Sequence, residues 1–241
     1  MKLQTFVARL RETALHEPHI SDTAKLEQLR EMRELLTVGL LDQEFIVDCI
    51  VHDLHAWYRW ELLNFRGVRP AMVRIADRGI QLRMFFWAPG QVAPPHEHTR
   101  WTLSAVFHNQ LNVTTYDWDH AVQKRALQQR NEFTALRGQA GYVSNPCIHS
   151  PRNLSQDWST SLHVFNEADQ PVLERTVGPI AGLPEAASLM LPSPLPVEPL
   201  AFREARDHAL HAHALVVRQC TAPQAASALR AIQHLTRALP T

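Results

Sequence analysis

The sequence of 241 residues has few cysteines, and they are widely spaced. Its three cysteines are Cys49, Cys147 and Cys220, and no two of them form a Cys-x-x-Cys pair. An odd number at such spacing does not indicate a disulfide framework, and a zinc site built from thiolates needs closer pairs. The cysteine pattern therefore argues against a small disulfide-held secreted domain and is typical of a protein from the reducing cytoplasm.

The sequence also lacks an excess of charge of either sign and lacks a long apolar run. Lysine plus arginine and aspartate plus glutamate each number 24, so the formal net charge is zero. Proteins that bind nucleic acid or anionic membranes usually carry a basic excess. No run reaches the roughly 18 apolar residues of a membrane span, and charges interrupt residues 1–11, where a signal peptide would be apolar. We therefore expect a cytoplasmic protein that binds neither nucleic acid nor membrane.

Helical patterns occupy both ends of the chain. Residues 1–65 carry apolar side chains at helical spacing, and the third helix of this region is predicted over residues 42–57. Residues 178–199 are rich in proline and are predicted to form a linker, after which residues 200–241 return to a helical pattern. We therefore expect an N-terminal helical region packed on the rest of the protein and a C-terminal helical extension.

Two histidines of the C-terminal extension have helical spacing. His208 and His211 can share one face of a helix. A metal site there needs further ligands, and the sequence places none beside them. The simpler interpretation is a helix that faces solvent or a second copy of the chain.

Between the two helical regions, residues 66–177 have the pattern of a β domain. Short runs of β-forming residues are separated by turn residues, and the clearest runs are 81–87, 102–107, 111–116, 141–143 and 159–165. Many short strands at close spacing indicate an antiparallel β-barrel or jelly roll. The predicted fold class is therefore mainly β, with a double-sheet barrel between helical ends.

The sequence is rich in histidine, and one pair has a spacing that predicts metal binding. Of its 14 histidines, His96 and His98 are two residues apart. On a β-strand such side chains point to the same face, so both imidazoles can face the inside of a barrel. Two neutral imidazoles placed in this way suit one borderline transition-metal ion. The best third ligand downstream is His149, so the residues predict a three-histidine metal site in a β-barrel.

The spacing of these histidines resembles the two sequence motifs of the cupin fold, a small double-sheet β-barrel that holds a metal at its mouth. The matching residues are Gly90, His96, His98, Gly138, Pro146, His149 and Asn153. The first cupin motif usually carries a glutamate a few residues after its second histidine, but residues 99–103 contain no carboxylate. The resemblance therefore implies a metal held by three histidines without a glutamate.

Among cupins, the chain resembles the thiol dioxygenases, that is, cysteine dioxygenase and, more closely, the bacterial 3-mercaptopropionate dioxygenases. The resemblance covers about residues 70–178 and depends on the segment 87–91, the histidine motifs, Trp101 and the segment 161–165. It implies that the three histidines bind Fe(2+). It also implies that a small thiol, either cysteine or a mercaptocarboxylic acid, is oxidised by O2 to its sulfinate.

The resemblance also implies a role for residues beside the metal. Ser161, His163 and Phe165 alternate along one predicted strand and share a face. The family has Ser-His-Tyr at these positions and uses them as a hydrogen-bonded relay. Ser161 and His163 match it, whereas Phe165 lacks the terminal hydroxyl. For His163, a buried imidazole bonded to a backbone carbonyl is an open alternative, and Trp87 and Trp101 are interpreted as barrel packing.

Two arginines are candidates for binding a substrate carboxylate. Arg74 lies where the family often places such an arginine, and a guanidinium suits a carboxylate through a bidentate pair. The tyrosine that usually stands just before it is Met72 in this chain. Arg83, on the predicted strand that ends at Trp87, is the competing candidate.

Two features are also compatible with other functions: residue 165 is Phe where the family has Tyr, and the chain has a C-terminal helical extension. One alternative is a divergent cupin oxygenase that acts on a non-thiol substrate, and another is a non-catalytic metal-binding sensor. Turnover of a thiol well above the rate of free iron would eliminate the sensor. The expected partners are a small thiol and O2, and the chain is expected to be a monomer or a homodimer.

Overall fold

The described part of the chain contains five α-helices and ten β-strands. A computed structural model describes residues 1–14, 22–62, 70–119, 126–143, 147–169, 171–173 and 199–237. The helices are α1 (Leu3–Thr13), α2 (Asp22–Leu40), α3 (Gln43–Leu62), α4 (Pro199–Arg218) and α5 (Ala225–Arg237). The strands are β1 (Val73–Ile75), β2 (Ile80–Trp87), β3 (His96–His98), β4 (Thr102–His108), β5 (Gln110–Asp119), β6 (Ala126–Leu136), β7 (Ala140–Val143), β8 (Ile148–Arg152), β9 (Ser159–Asn166) and β10 (Pro171–Leu173). Within these ranges, no helix combines the length and the apolar character that crossing a membrane requires.

The strands form two five-stranded antiparallel sheets. The first sheet has the order β1-β2-β9-β4-β7 and the second has the order β10-β3-β8-β5-β6. Most consecutive strands therefore lie in different sheets, and the connections between them cross from one sheet to the other as in a jelly roll. The predicted mainly β, double-sheet cupin barrel is confirmed, and all five of the strand segments predicted above are strands.

The two faces of the first sheet have different surroundings because side chains alternate along each strand. Leu82, Met84 and Leu162 point to one face and belong to the same buried core as Phe6 and Phe45 of the N-terminal helices. The sheet is thus covered by helices on its outer face. Its inner face looks toward the second sheet and carries the polar residues described below.

The third helix is longer than the predicted segment, which ended at Trp57. Helix α3 continues to Leu62 because its apolar stripe continues: Trp57 and Trp60 pack with Ala209 of α4. The indole of Trp57 also donates a hydrogen bond to Asp53 Oδ2 over 2.9 Å. The interface with α4, which is distant in sequence, therefore extends the helix.

The C-terminal helices pack against the body of the protein. Helix α4 contacts α3, α5 and β2 and buries Ala209, Leu210 and Val216. His213 Nε2 lies 3.0 Å from Asp53 Oδ2, and both side chains are almost wholly buried. Helix α4 therefore covers the outer side of the first sheet with one face, while His211 on its other face is exposed. Residues 178–198 of the predicted linker lie outside the described residues.

Candidate metal centre

Three histidines converge on the inner side of the second sheet. His96 and His98 lie on β3, and His149 lies on β8 directly opposite His96 in the antiparallel register. One ligand atom from each imidazole lies within 4.8 Å of the others. The ring centroids are 4.4 Å apart for His96 and His149 and 5.2 Å apart for each of the other two pairs. The predicted ligands are thus brought together as a set, which we call the three-histidine cluster.

The hydrogen bonds of the three imidazoles orient them toward one another. Nδ1 of His96 donates to the carbonyl oxygen of Pro94 over 2.8 Å, and Nδ1 of His98 donates to Asp169 Oδ2 over 2.5 Å. Nδ1 of His149 points to the carbonyl oxygen of Cys147 at 3.4 Å. Because Nδ1 of each ring has an acceptor, Nε2 is the nitrogen whose lone pair remains for a metal.

Asp169 is part of the site, although no sequence motif marks it. Its carboxylate also accepts a hydrogen bond from the backbone nitrogen of Arg100 over 2.8 Å. Burial acts to raise the pKa of Asp169, but the hydrogen bonds from His98 and Arg100 outweigh it, so this pKa lies below its ordinary value. Asp169 therefore stays ionised and accepts the hydrogen bond from Nδ1 of His98. The two residues are 71 positions apart in the sequence.

Two of the three histidines have the protonation state that a metal ligand needs. His96 and His149 are each only 7% exposed. Desolvation lowers the pKa of His96 to about 4 and the pKa of His149 well below 6.5. Both rings are therefore neutral at physiological pH and can act as ligands. Three imidazole nitrogens within 4.8 Å of one another fit a borderline transition-metal ion.

The absence of a carboxylate ligand, predicted from residues 99–103, agrees with the geometry. Among the described residues, the group able to hold a metal consists of the three histidines alone. The carboxylate of Asp169 contacts the cluster only through Nδ1 of His98, the nitrogen that is not available as a metal ligand. The donor set is therefore three imidazoles, and a metal ion held by them would keep positions for ligands that the protein does not supply.

A second polar group lies on the first sheet and faces the cluster across the barrel. Trp87 Nε1 donates to Ser161 Oγ over 2.8 Å, and Ser161 Oγ lies 2.8 Å from His163 Nε2. His163 Nδ1 lies 3.0 Å from Ser104 Oγ on β4. The four residues form a continuous path that we call the serine–histidine chain. The alternative of a His163 bonded to a backbone carbonyl is wrong, because both ring nitrogens contact serine hydroxyls.

Two members of this chain were not identified from the sequence. Trp87 was interpreted as barrel packing, but it also donates to Ser161, and its period-two position with Phe85 could have indicated an inward indole. Ser104 had no motif to mark it. Burial, with smaller effects from His98 and His96, lowers the pKa of His163 to about 3. His163 is therefore a neutral imidazole.

A large cavity connects the three-histidine cluster with the serine–histidine chain. Its volume is about 1200 Å³, and both groups line it. Apolar side chains form much of its inner wall, among them Phe85, Val106, Leu111, Val113 and Phe165. Phe165 thus occupies the place expected for it, and its ring has no hydroxyl to present.

The two candidate arginines differ in their position. Arg83 lines the cavity, lies opposite His163 in the register, and donates from Nε to Gln81 Oε1 over 3.1 Å. Arg74 pairs with Gln81 across the sheet, but its side chain is 63% exposed and lies 3.6 Å from a carboxylate oxygen of Glu167. The structure therefore places Arg83 in the cavity and Arg74 at its outside edge.

Comparison with solved structures finds partial likenesses. An oxalate oxidase in complex with glycolate is 21% identical over 39% of this chain and 45% of its own, with a TM-score of 0.31. Bacillus subtilis oxalate decarboxylase with Mn(II) centres is 18% identical over 44% of this chain and 28% of its own, with a TM-score of 0.33. A hydroquinone 1,2-dioxygenase in complex with Cd2+ is 9% identical over 39% of this chain and 60% of its own, with a TM-score of 0.32.

These likenesses are limited in extent. The chain spans 28% to 60% of the length of those three structures, and no protein-family model matches the sequence. The conclusion therefore depends on this chain's own structure, which is a double-sheet β-barrel with three converging histidines that could hold a metal ion.

Proposed function

We propose that the protein is an Fe(2+)-dependent dioxygenase that oxidises a small thiol to its sulfinate. The reaction is RSH + O2 → RSO2H, in which both oxygen atoms end on sulfur and no further reductant is required. The observation that carries the proposal is a cluster of three imidazoles that faces the pair His163–Ser161 across one cavity. The donor set and this pair both match the thiol dioxygenase pattern.

The residues would hold iron through Nε2 of His96, His98 and His149. When bound, the ion supplies open coordination positions, redox electrons and the positive charge that favours a thiolate. Asp169 fixes the orientation of His98 and increases its basicity through the hydrogen bond to Nδ1. The protein thus contributes the ligand geometry, and burial keeps the imidazoles of His96 and His149 neutral.

The rest of the cavity would position the substrate and exclude water. Arg83 places a permanent positive charge beside His163, which suits the carboxylate of cysteine or of a mercaptocarboxylic acid. The apolar wall of Phe85, Val106 and Leu111 keeps the reacting sulfur in a poorly hydrated space. We propose that the partners are this thiol and O2 and that the protein acts in the cytoplasm as a monomer or homodimer.

The size of the cavity favours one other function. The cavity of about 1200 Å³ reaches beyond the histidines to Arg33 of α2 and Trp60 of α3, so it can admit a molecule larger than cysteine. A divergent cupin oxygenase with a bulkier, non-thiol substrate would use the same three-histidine cluster. The two functions share the metal and differ in the substrate that consumes O2.

The test is O2 consumption by protein reconstituted anaerobically with iron. The panel is cysteine, cysteamine, 3-mercaptopropionate and mercaptosuccinate, and mass spectrometry detects the sulfinate. We expect uptake and sulfinate with at least one thiol, and loss of both in His149→Ala. The matched control is His52→Ala, which removes an exposed histidine of α3 and should keep the wild-type rate. Iron bound without O2 uptake across the panel would contradict the thiol reaction.

A further inference from the structure

A polar row crosses the inner face of the first sheet. Antiparallel pairing places Arg83 of β2 opposite His163 of β9, and His163 opposite Ser104 of β4. Opposed residues point to the same face, so all three side chains face the cavity that they line. Two strand spacings put Arg83 and Ser104 about 10 Å apart at the backbone, one on each side of His163.

The direction of every hydrogen bond in the serine–histidine chain follows from one indole. Trp87 Nε1 can only donate, so Ser161 Oγ accepts from it. The hydroxyl proton of Ser161 then has one acceptor among the described residues, His163 Nε2. A neutral imidazole with Nε2 as acceptor carries its proton on Nδ1, which donates to Ser104 Oγ. The chain therefore runs from Trp87 through Ser161 and His163 to Ser104.

The opposite tautomer of His163 is disfavoured by burial. With the proton on Nε2, Ser161 would accept twice and its own proton would have no acceptor within the described part of the chain. Ser161 is only 1% exposed, so that proton could not reach water. In the tautomer assigned above, the remaining proton belongs to Ser104, which is half-buried and lines the cavity.

We propose that Ser104 directs its hydroxyl proton into the cavity and, together with Arg83, binds the carboxylate of the substrate. The hydroxyl is held in the donating orientation because its oxygen already accepts from His163. Space for the ligand is present beside it: Gly141 is the register partner of Ser104, and a methyl group added there would meet nothing within 4 Å. Ser104 supplies a hydroxyl donor in a cavity where Phe165 has none.

This carboxylate subsite, formed by Ser104 and Arg83, rests on the proposed thiol oxidation. Binding measurements can test the subsite separately from the reaction. Cobalt(II)-loaded protein is titrated anaerobically by calorimetry with 3-mercaptopropionate, with propane-1-thiol, which lacks the carboxylate, and with propionate, which lacks the thiol. Absorption from thiolate bound to cobalt reports the sulfur. The variants are Ser104→Ala, Ser104→Thr and, as the matched control, Thr102→Val, whose native hydroxyl donates to the carbonyl of Leu103 over 3.5 Å.

The expected result is a loss specific to the carboxylate. Ser104→Ala should lower the affinity for 3-mercaptopropionate and for propionate about tenfold or more. The affinity for propane-1-thiol should change less than about twofold. Ser104→Thr should restore the affinity, and Thr102→Val should keep it. Cobalt content measured for each variant shows that the metal site is intact.

Other outcomes have defined meanings. The proposed carboxylate subsite would be contradicted if wild type and Ser104→Ala bound the two carboxylates with equal affinity. It would also be contradicted if Ser104→Ala lost as much affinity for propane-1-thiol as for the carboxylates. Failure of the wild type to bind any of the carboxylates would overturn it too. Propionate binding that depends on Ser104, without thiolate absorption from either thiol, would support the subsite and contradict thiol oxidation.

Discussion

At the scale of single residues, the metal ligands are the part of the site that local sequence patterns predict. His96 and His98 are two residues apart, and strand geometry alone turns both imidazoles to one face. His149 required the cupin motif, because its approach to His96 depends on strand pairing across 53 positions of the chain. Asp169 and Ser104 contact the site through pairing of distant strands and carry no local signal.

The carboxylate of Asp169 is expected to tune the metal affinity. Asp169→Asn removes the charge that His98 Nδ1 contacts at 2.5 Å and so lowers the basicity of this ligand. We expect a loss of metal affinity of about 10-fold to 100-fold, measured by competition with a chelator. Asp117→Asn is the control, since that carboxylate is exposed and pairs with Arg130 at 3.6 Å. Unchanged affinity in Asp169→Asn would mean that the hydrogen bond does not act on the metal.

At the scale of elements, strands with one buried face were predictable and elements defined by distant contacts were not. In β2 and β9 the alternation of side chains is clear because one face packs against the helices and the other face lines the cavity. Strand β6 is an edge strand, and most of its described residues are exposed, so its sequence has no alternation that marks a buried face. The end of α3 depends on α4, which lies about 150 residues later.

The contact between α3 and α4 is expected to contribute strongly to stability. Asp53 accepts from Trp57 and lies 3.0 Å from His213 Nε2, and these groups have no access to water. Asp53→Ala removes the carboxylate that contacts the buried side chains of Trp57 and His213 and should lower the free energy of unfolding by about 3 kcal/mol. Urea unfolding followed by circular dichroism measures the loss. The double variant Asp53→Ala/His213→Ala tests the coupling, and losses that simply add would contradict a direct link.

At the scale of the whole molecule, the two sheets carry different parts of the site. The second sheet holds the three-histidine cluster, the inner face of the first sheet carries Arg83 and the serine–histidine chain, and helices cover the outer face of the first sheet. The sequence predicted the barrel and its metal, because both depend on periodicity and short motifs. The position of the C-terminal helices depends on Asp53 and His213, which are 160 residues apart, so no local pattern could predict it.

The most direct test of the three-histidine centre is anomalous diffraction at the iron edge, on crystals grown anaerobically from iron-loaded protein. The expected result is one peak per chain, within bonding distance of Nε2 of His96, His98 and His149, with no carboxylate oxygen of the protein in the first coordination sphere. A peak elsewhere in the molecule, or an iron bound by fewer than these three imidazoles, would contradict the account.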